Sequence, residues 1–138
     1  MSLNTNKTVI RNWYEKAWNE RNIALADELI DANFVAHDYP GQPTGVAAAK
    51  NLVNQYLTAF PDIHFTIEDI IAEEDKVMAR WTARGTHKGD LMGAAPTNKQ
   101  MIVKGVTISR IANGKIVEFW DNFDQLGMLK QLDLVSLS

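Results

Sequence analysis

The stretch MIVKGVTISRIANGKIVEFWDNF, Met101 to Phe123, constrains the fold more than any other part of the chain. Two runs rich in β-branched and aromatic residues flank Asn113-Gly114, and Asn-Gly readily adopts the left-handed backbone that a tight hairpin turn demands. The spacing predicts a long antiparallel hairpin. A second is predicted just before it in IHFTIEDIIAEEDKVMARWTARGTH, with an acidic turn near Glu73 to Lys76. Phe65, Ile67 and Ile71 mark its first strand. On its second, Val77, Ala79, Trp81, Ala83 and His87 share one face opposite Arg80 and Arg84, which read as exposed or interfacial ion-pairing residues. A loop from Lys88 to Lys99 joins the two hairpins.

Upstream the period changes to that of a helix. Val9, Trp13 and Ala17 form one stripe and Ile10, Tyr14 and Trp18 its neighbour, which predicts an amphipathic helix over 5–21 capped by Thr5 or Asn6. Residues 1–6 are then expected to be a flexible lead on one domain spanning 1–138. IALADELI continues helically for about two turns. Phe34, Val35 and Tyr39 in DANFVAHDYP suggest a short strand, and Pro40, Gly41, Pro43 and Gly45 a loop. Helical spacing returns from Gly45 to Phe60 and stops at Pro61-Asp62. The tail DQLGMLKQLDL is again helical, with Asp124 as its natural N-cap.

Helices first and long antiparallel strands afterwards predict an α+β domain, a cone-shaped curved sheet wrapped around the helices. With 138 residues, 46% of them hydrophobic, the chain can build one core. Such a cone leaves a blind, mostly apolar pocket, where a small molecule binds and a buried acid has its pKa raised.

Composition narrows the chemistry. A net charge of -3 offers no positive field to nucleic acid or an anionic membrane. No apolar run approaches the roughly 18 residues of a membrane span, and the start lacks the order of a signal peptide, so a cytoplasmic protein is expected. The absence of cysteine removes thiolate nucleophiles and thiolate metal sites. There is no glycine-rich phosphate loop, serine elbow or His-Glu-x-x-His, and His37, His64 and His87 are too scattered to suggest a metal.

The densest polar and aromatic cluster is VEFWDNFDQLG. Alternation places Phe119, Asp121 and Phe123 on one face and Trp120, Asn122 and Asp124 on the other. If the first face points inward, Asp121 sits in the apolar cone as an acid/base group. The alternative is an aspartate that is ion-paired or exposed at the strand end, and a β-bulge there would reverse its face. His87 ends its strand beside a loop and reads either as a proton partner at the pocket mouth or as a satisfied structural histidine. His37 reads as a rim position with the same alternatives. Tyr56, Phe60, Trp81, Trp120 and Phe123 could wall the cavity, although Trp13, Tyr14, Trp18, Tyr56 and Phe60 also fit a plain core stripe.

Taken together, FVAHDYP, the Phe-Pro-Asp after the long helix, the Trp81 strand running into Gly85-Thr86-His87, and Gly114-Lys115-Ile116-Val117-Glu118 with Trp120-Asp121 resemble the SnoaL-like polyketide cyclase family over nearly the whole chain. The resemblance implies the cone-shaped α+β barrel shared with nuclear transport factor 2 and ketosteroid isomerase. It also implies ring closure by aldol condensation, or related ester cyclase, lyase or isomerase chemistry, with no metal or organic cofactor. A buried aspartate matching Asp121 would be the acid/base group and His87 the matching pocket histidine. The implied ligand is a small apolar or aromatic carbonyl compound, and the alternatives are a hydrolase or dehydratase in the same pocket, or a non-catalytic binding domain. A homodimer through the outer sheet face is also implied, to which Ile102, Val106 and Ile108 could contribute.

Overall fold

The computed structural model describes residues 2–39 and 44–135, so the loop expected at Pro40, Gly41 and Pro43 lies outside the described residues. Helix α1 runs Leu3–Asn12 and begins earlier than the spacing predicted. Ser2 is the cap, its hydroxyl accepting from the Thr5 N–H at 3.0 Å, and Asn6 is buried. The expected flexible lead is therefore a helical turn from Leu3 onward, because one serine satisfies a free amide there.

The helix then widens into a π-helical segment, Trp13–Asn19. This departs from a uniform helix over 5–21, and it buries Trp13, Tyr14, Ala17 and Trp18 together. Bonds to the fifth residue bring Trp13 and Trp18 into line, which ordinary helical spacing does not. IALADELI is shorter than predicted: a 3₁₀ turn, Ile23–Leu25, and one helical turn α2, Ala26–Leu29, lead directly into strand β1, Ile30–Ala36.

Helix α3, Val46–Ala59, follows Gly45. Gly45 has φ +80, and a Cβ there would come within 2.5 Å of the Ala32 carbonyl oxygen, so only glycine lets the helix start against β1. Strands β2 (His64–Glu73), β3 (Lys76–Thr86), β4 (Gln100–Ala112) and β5 (Lys115–Phe123) form the two predicted hairpins, and helix α4, Gln125–Gln131, closes the described chain. Asp124 caps α4 as expected, accepting from the Gly127 N–H at 2.8 Å.

The strand order is β1-β5-β4-β3-β2, with β1 parallel to β5 and every other pair antiparallel. The sheet is curved but unclosed, a mixed sheet with β1 and β2 as edges rather than a complete barrel. Its inner face packs on α1, the π-helical segment and α3 around Ile10, Phe34, Val53, Phe60, Val77 and Ile116. In β4 the buried positions are Met101, Val103, Gly105, Thr107, Ser109 and Ile111, a strict alternation that includes two hydroxyl residues on an otherwise apolar face. The register of β4 with β5 is unbroken from Gly105↔Phe123 to Arg110↔Glu118. No bulge reverses the face of Asp121.

Candidate active site

Thr107 and Asp121 are register partners across β4 and β5, and both point into the cone. The Thr107 hydroxyl donates to Asp121 Oδ1 at 2.7 Å. It also accepts from the Tyr14 hydroxyl at 3.0 Å and from Trp81 Nε1 at 2.9 Å. One donor and two lone pairs are the whole capacity of a hydroxyl, so Thr107 is saturated and its proton is committed to Asp121. Tyr39, just beyond β1, donates to the other carboxylate oxygen, Oδ2, at 2.6 Å. Asp38 next to it accepts the Asp121 backbone N–H at 2.6 Å.

Glycine makes this arrangement possible on β4. A Cβ at Gly105 would fall 2.4 Å from the Trp81 ring, so the missing side chain is what lets the indole lie across the strand with its N–H aimed at Thr107. Phe65 and Phe123 pack against the same indole with ring centroids at 5.1 and 6.3 Å.

Asp121 has no basic partner among the described residues. Burial is the dominant influence and pushes its carboxyl above the ordinary range; the hydrogen bonds from Tyr39 and Thr107 oppose that shift and the negative charge of Asp38 adds to it. The tyrosines respond in turn. Burial, reinforced by the Asp121 charge, raises Tyr14 and Tyr39 far above the usual phenol value and pushes Tyr56 up to about 12. All three stay protonated donors at neutral pH.

Two connected spaces surround the aspartate. The inner one holds about 50 Å³ and is walled by Trp13, Tyr14, Trp18, Trp81 and Phe119 among others, with Asp121 the only carboxyl group among the described wall residues. The outer recess holds about 410 Å³. Tyr39, Tyr56, Asp121 and Phe123 line both and form the boundary between them. A cavity that takes a benzene ring is ~150 Å³. A ring therefore does not fit the inner space as it stands, but the outer recess is large enough and brings it against Asp121.

Of the residues predicted from sequence, Asp121, Tyr56, Trp81 and Phe123 come together at this cavity. His87 does not line it. It is fully buried, tilted on Phe60 at 5.7 Å, and its Nδ1 accepts the Thr97 N–H at 3.2 Å, which ties the 88–99 loop to the end of β3. Phe60 is likewise packed in the core away from the cavity walls. His37 and Trp120 lie on the outer sheet face, stacked at 4.9 Å with an interplanar angle of 5°. His37 Nε2 bonds Glu118 at 2.7 Å, and hydrogen bonds from Arg110 and His37 hold the Glu118 carboxyl below its usual range. Trp120 follows from strand parity, since it is odd to Asp121, and His37 follows it. Arg80 pairs with exposed Asp69, as its strand face suggested.

Sequence reasoning missed Thr107, Tyr14 as a hydrogen-bonding group, Tyr39 and Asp38. The signal for Thr107 was present: a hydroxyl residue in an alternating apolar row. Nothing local marks Tyr39, because its partner is 82 residues away. Among the described residues no group of three or more His, Asp or Glu is clustered to hold a metal, and no helix is long and apolar enough to cross a membrane.

A curved, unclosed mixed sheet with helices over its inner face places the chain in the nuclear transport factor 2-like class of α+β proteins. Within that class the chain belongs to the SnoaL-like polyketide cyclase family, whose model matches residues 8–132. Among solved structures it is similar to IdmH from Streptomyces antibioticus, a proposed polyketide cyclase, at 31% identity over 93% of this chain and 98% of that one, with a TM-score of 0.79. AclR from Streptomyces galilaeus, a proposed hydroxylase, is 28% identical over 98% and 100% of the two chains, with a TM-score of 0.81. TsrD from Streptomyces laurentii superimposes with a TM-score of 0.90 over 98% and 99% of the chains at 21% identity, a likeness of fold alone. A search of curated protein sequences gave no match.

Proposed function

We propose that this protein is a cofactor-free acid/base enzyme that closes a ring by aldol-type addition, or isomerises, a small apolar carbonyl compound. The observation that carries the reading is Asp121: a buried carboxylate with no basic partner among the described residues, held by one hydroxyl on each oxygen. A raised pKa makes it a stronger base than a solvated aspartate. It would take a proton from the carbon next to a carbonyl, leaving the electron pair on an enolate, and once Asp121 is protonated the Tyr39 hydroxyl would be released from Oδ2 to turn towards the enolate oxygen. The enolate carbon would bond to a second carbonyl carbon, and the resulting alkoxide would recover the proton from Asp121. Tyr39 takes the part that the sequence suggested for His87.

A second reading, hydration or dehydration, is favoured by the carboxylate of Asp38 beside Asp121, since two acids can share the work of activating and releasing water. The two readings part on a panel of diketones and β-hydroxyketones incubated with the protein. Cyclised products of unchanged mass support ring closure, and products differing by one water support the second. Asp121→Asn should abolish either conversion; full turnover in that variant would remove Asp121 from the chemistry. We also propose a homodimer through the outer sheet face, where Ile102 and Ile108 are exposed beside Val106. Sedimentation as a monomer at micromolar concentration would overturn it.

A further inference from the structure

The inner cavity is too small for a ring and is almost wholly apolar, whereas the recess outside it is large and of mixed polar and apolar lining. Beyond the boundary residues, the recess is lined by Asp38, Gln55, Asn122, Gln125 and the exposed Met92. Among the described residues, none of the three carboxamides has a hydrogen-bond partner within the chain, so their polar groups are left to solvent or a ligand. No lysine, arginine or histidine is among the described residues lining the recess, while two carboxylates, Asp38 and Asp121, are. An anion placed there meets the carboxylate of Asp38 and the carboxyl group of Asp121 and gains no cation.

We infer that the outer recess is a subsite for a neutral or cationic, hydrogen-bond-donating end of the ligand, and that it rejects anionic ends. This rests on the reading that a ring binds at Asp121, and it narrows the substrate class. A hydroxylated or amino-bearing compound fits, and a free acid or a phosphate-carrying thioester does not. Asp38 accepts the charged or hydroxyl donor on its outward oxygen while keeping the Asp121 backbone N–H on the other. The carboxamides supply both donors and acceptors around it.

Three probes that share one ring system test the subsite: 1-naphthylmethylammonium, 1-naphthalenemethanol and 1-naphthoate, each measured by equilibrium dialysis against the wild-type protein at neutral pH and low salt. The ammonium should bind most tightly, the alcohol next, and the naphthoate at least about tenfold more weakly than the alcohol, because it meets the Asp38 carboxylate with no cation to offset it. Asp38→Asn retains an acceptor for the backbone N–H but removes the charge. In that variant the ammonium should lose up to about fivefold of its advantage over the alcohol, the range of one exposed ion pair. Naphthoate binding as well as the alcohol, or an ammonium preference indifferent to Asp38→Asn, would overturn the subsite while leaving the ring site in place. Failure of all three probes to bind would overturn the ring site itself and the subsite with it.

Discussion

Thr107 and Asp121 stand directly opposite each other on β4 and β5, and the single proton of the Thr107 hydroxyl is spent on Asp121 Oδ1 at 2.7 Å. Tyr14 and Trp81 fix that orientation from behind by donating to the threonine oxygen. Three side chains thus act as one unit aimed at a carboxylate. The network stabilises the charged form of an acid that burial alone would neutralise more completely.

Thr107→Val keeps the shape and removes the hydroxyl. Tyr14 and Trp81 then become buried donors without an acceptor, which costs about 1–3 kcal/mol each. Urea denaturation should show a loss of roughly 2–6 kcal/mol, beyond the cost of a simple surface change. The same variant should move the Asp121 carboxyl further above its ordinary value, as read by carboxyl-detected NMR. A stable variant with an unmoved Asp121 resonance would mean that the network does not exist in solution.

Tyr39→Phe leaves the ring in place at the cavity boundary and deletes the donor on Asp121 Oδ2. Loss of an oxyanion donor typically lowers kcat by about 10²–10³. Because that donor also lowers the Asp121 pKa, the acid limb of the pH-rate profile should shift to higher pH. An unchanged limb with reduced kcat would assign Tyr39 to positioning the ligand and not to the carboxylate.

Asp121 also makes stability depend on pH in a defined direction. Its folded pKa lies above the ordinary 3.8, so between those two values the native state holds a proton that the unfolded chain has lost. Stability contributed by this group is full below 3.8 and is lost as pH rises through the raised folded value. Asp121→Asn removes the penalty. Its stability relative to wild type should increase across that window, measured by parallel urea titrations at several pH values. A difference that stays flat or shrinks as pH rises would contradict the raised pKa.

His87→Ala should injure the fold and spare the acid. His87 is wholly buried, packs on Phe60 and takes the Thr97 amide, so its removal leaves a cavity and an orphaned N–H at a cost of roughly 2–5 kcal/mol. Faster proteolysis within 88–99 and an unchanged Asp121 resonance are expected. A large change at Asp121 without loss of stability would restore His87 to the site.

Local chemistry made much of this molecule readable from its residues. Asn113-Gly114 needs a positive φ at both positions, and the structure has φ 54 and 76 there. A strand has a period of two, so once Phe119 is inward, Asp121 and Phe123 follow it and Trp120 cannot. The helix signals were less complete. Ser2 caps α1 in place of Thr5 or Asn6, and a π-helical turn has no simple apolar spacing that distinguishes it from an α-helix.

The sequence by itself determined the order of the strands, the common face of Phe119, Asp121 and Phe123 and the capping role of Asp124, because each depends on backbone geometry within a few residues, whereas the fold decided that this face points inward. Only the tertiary structure decided what touches the aspartate. Tyr39 and Thr107 reach it from 82 and 14 residues away, and no local period encodes those distances. His87 shares an inward strand parity with Trp81, yet the turn of the chain after Thr86 carries its ring onto Phe60 and the 88–99 loop. Parity chooses a face of the sheet; the curvature of the sheet and the packing of the helices choose which residues on that face meet.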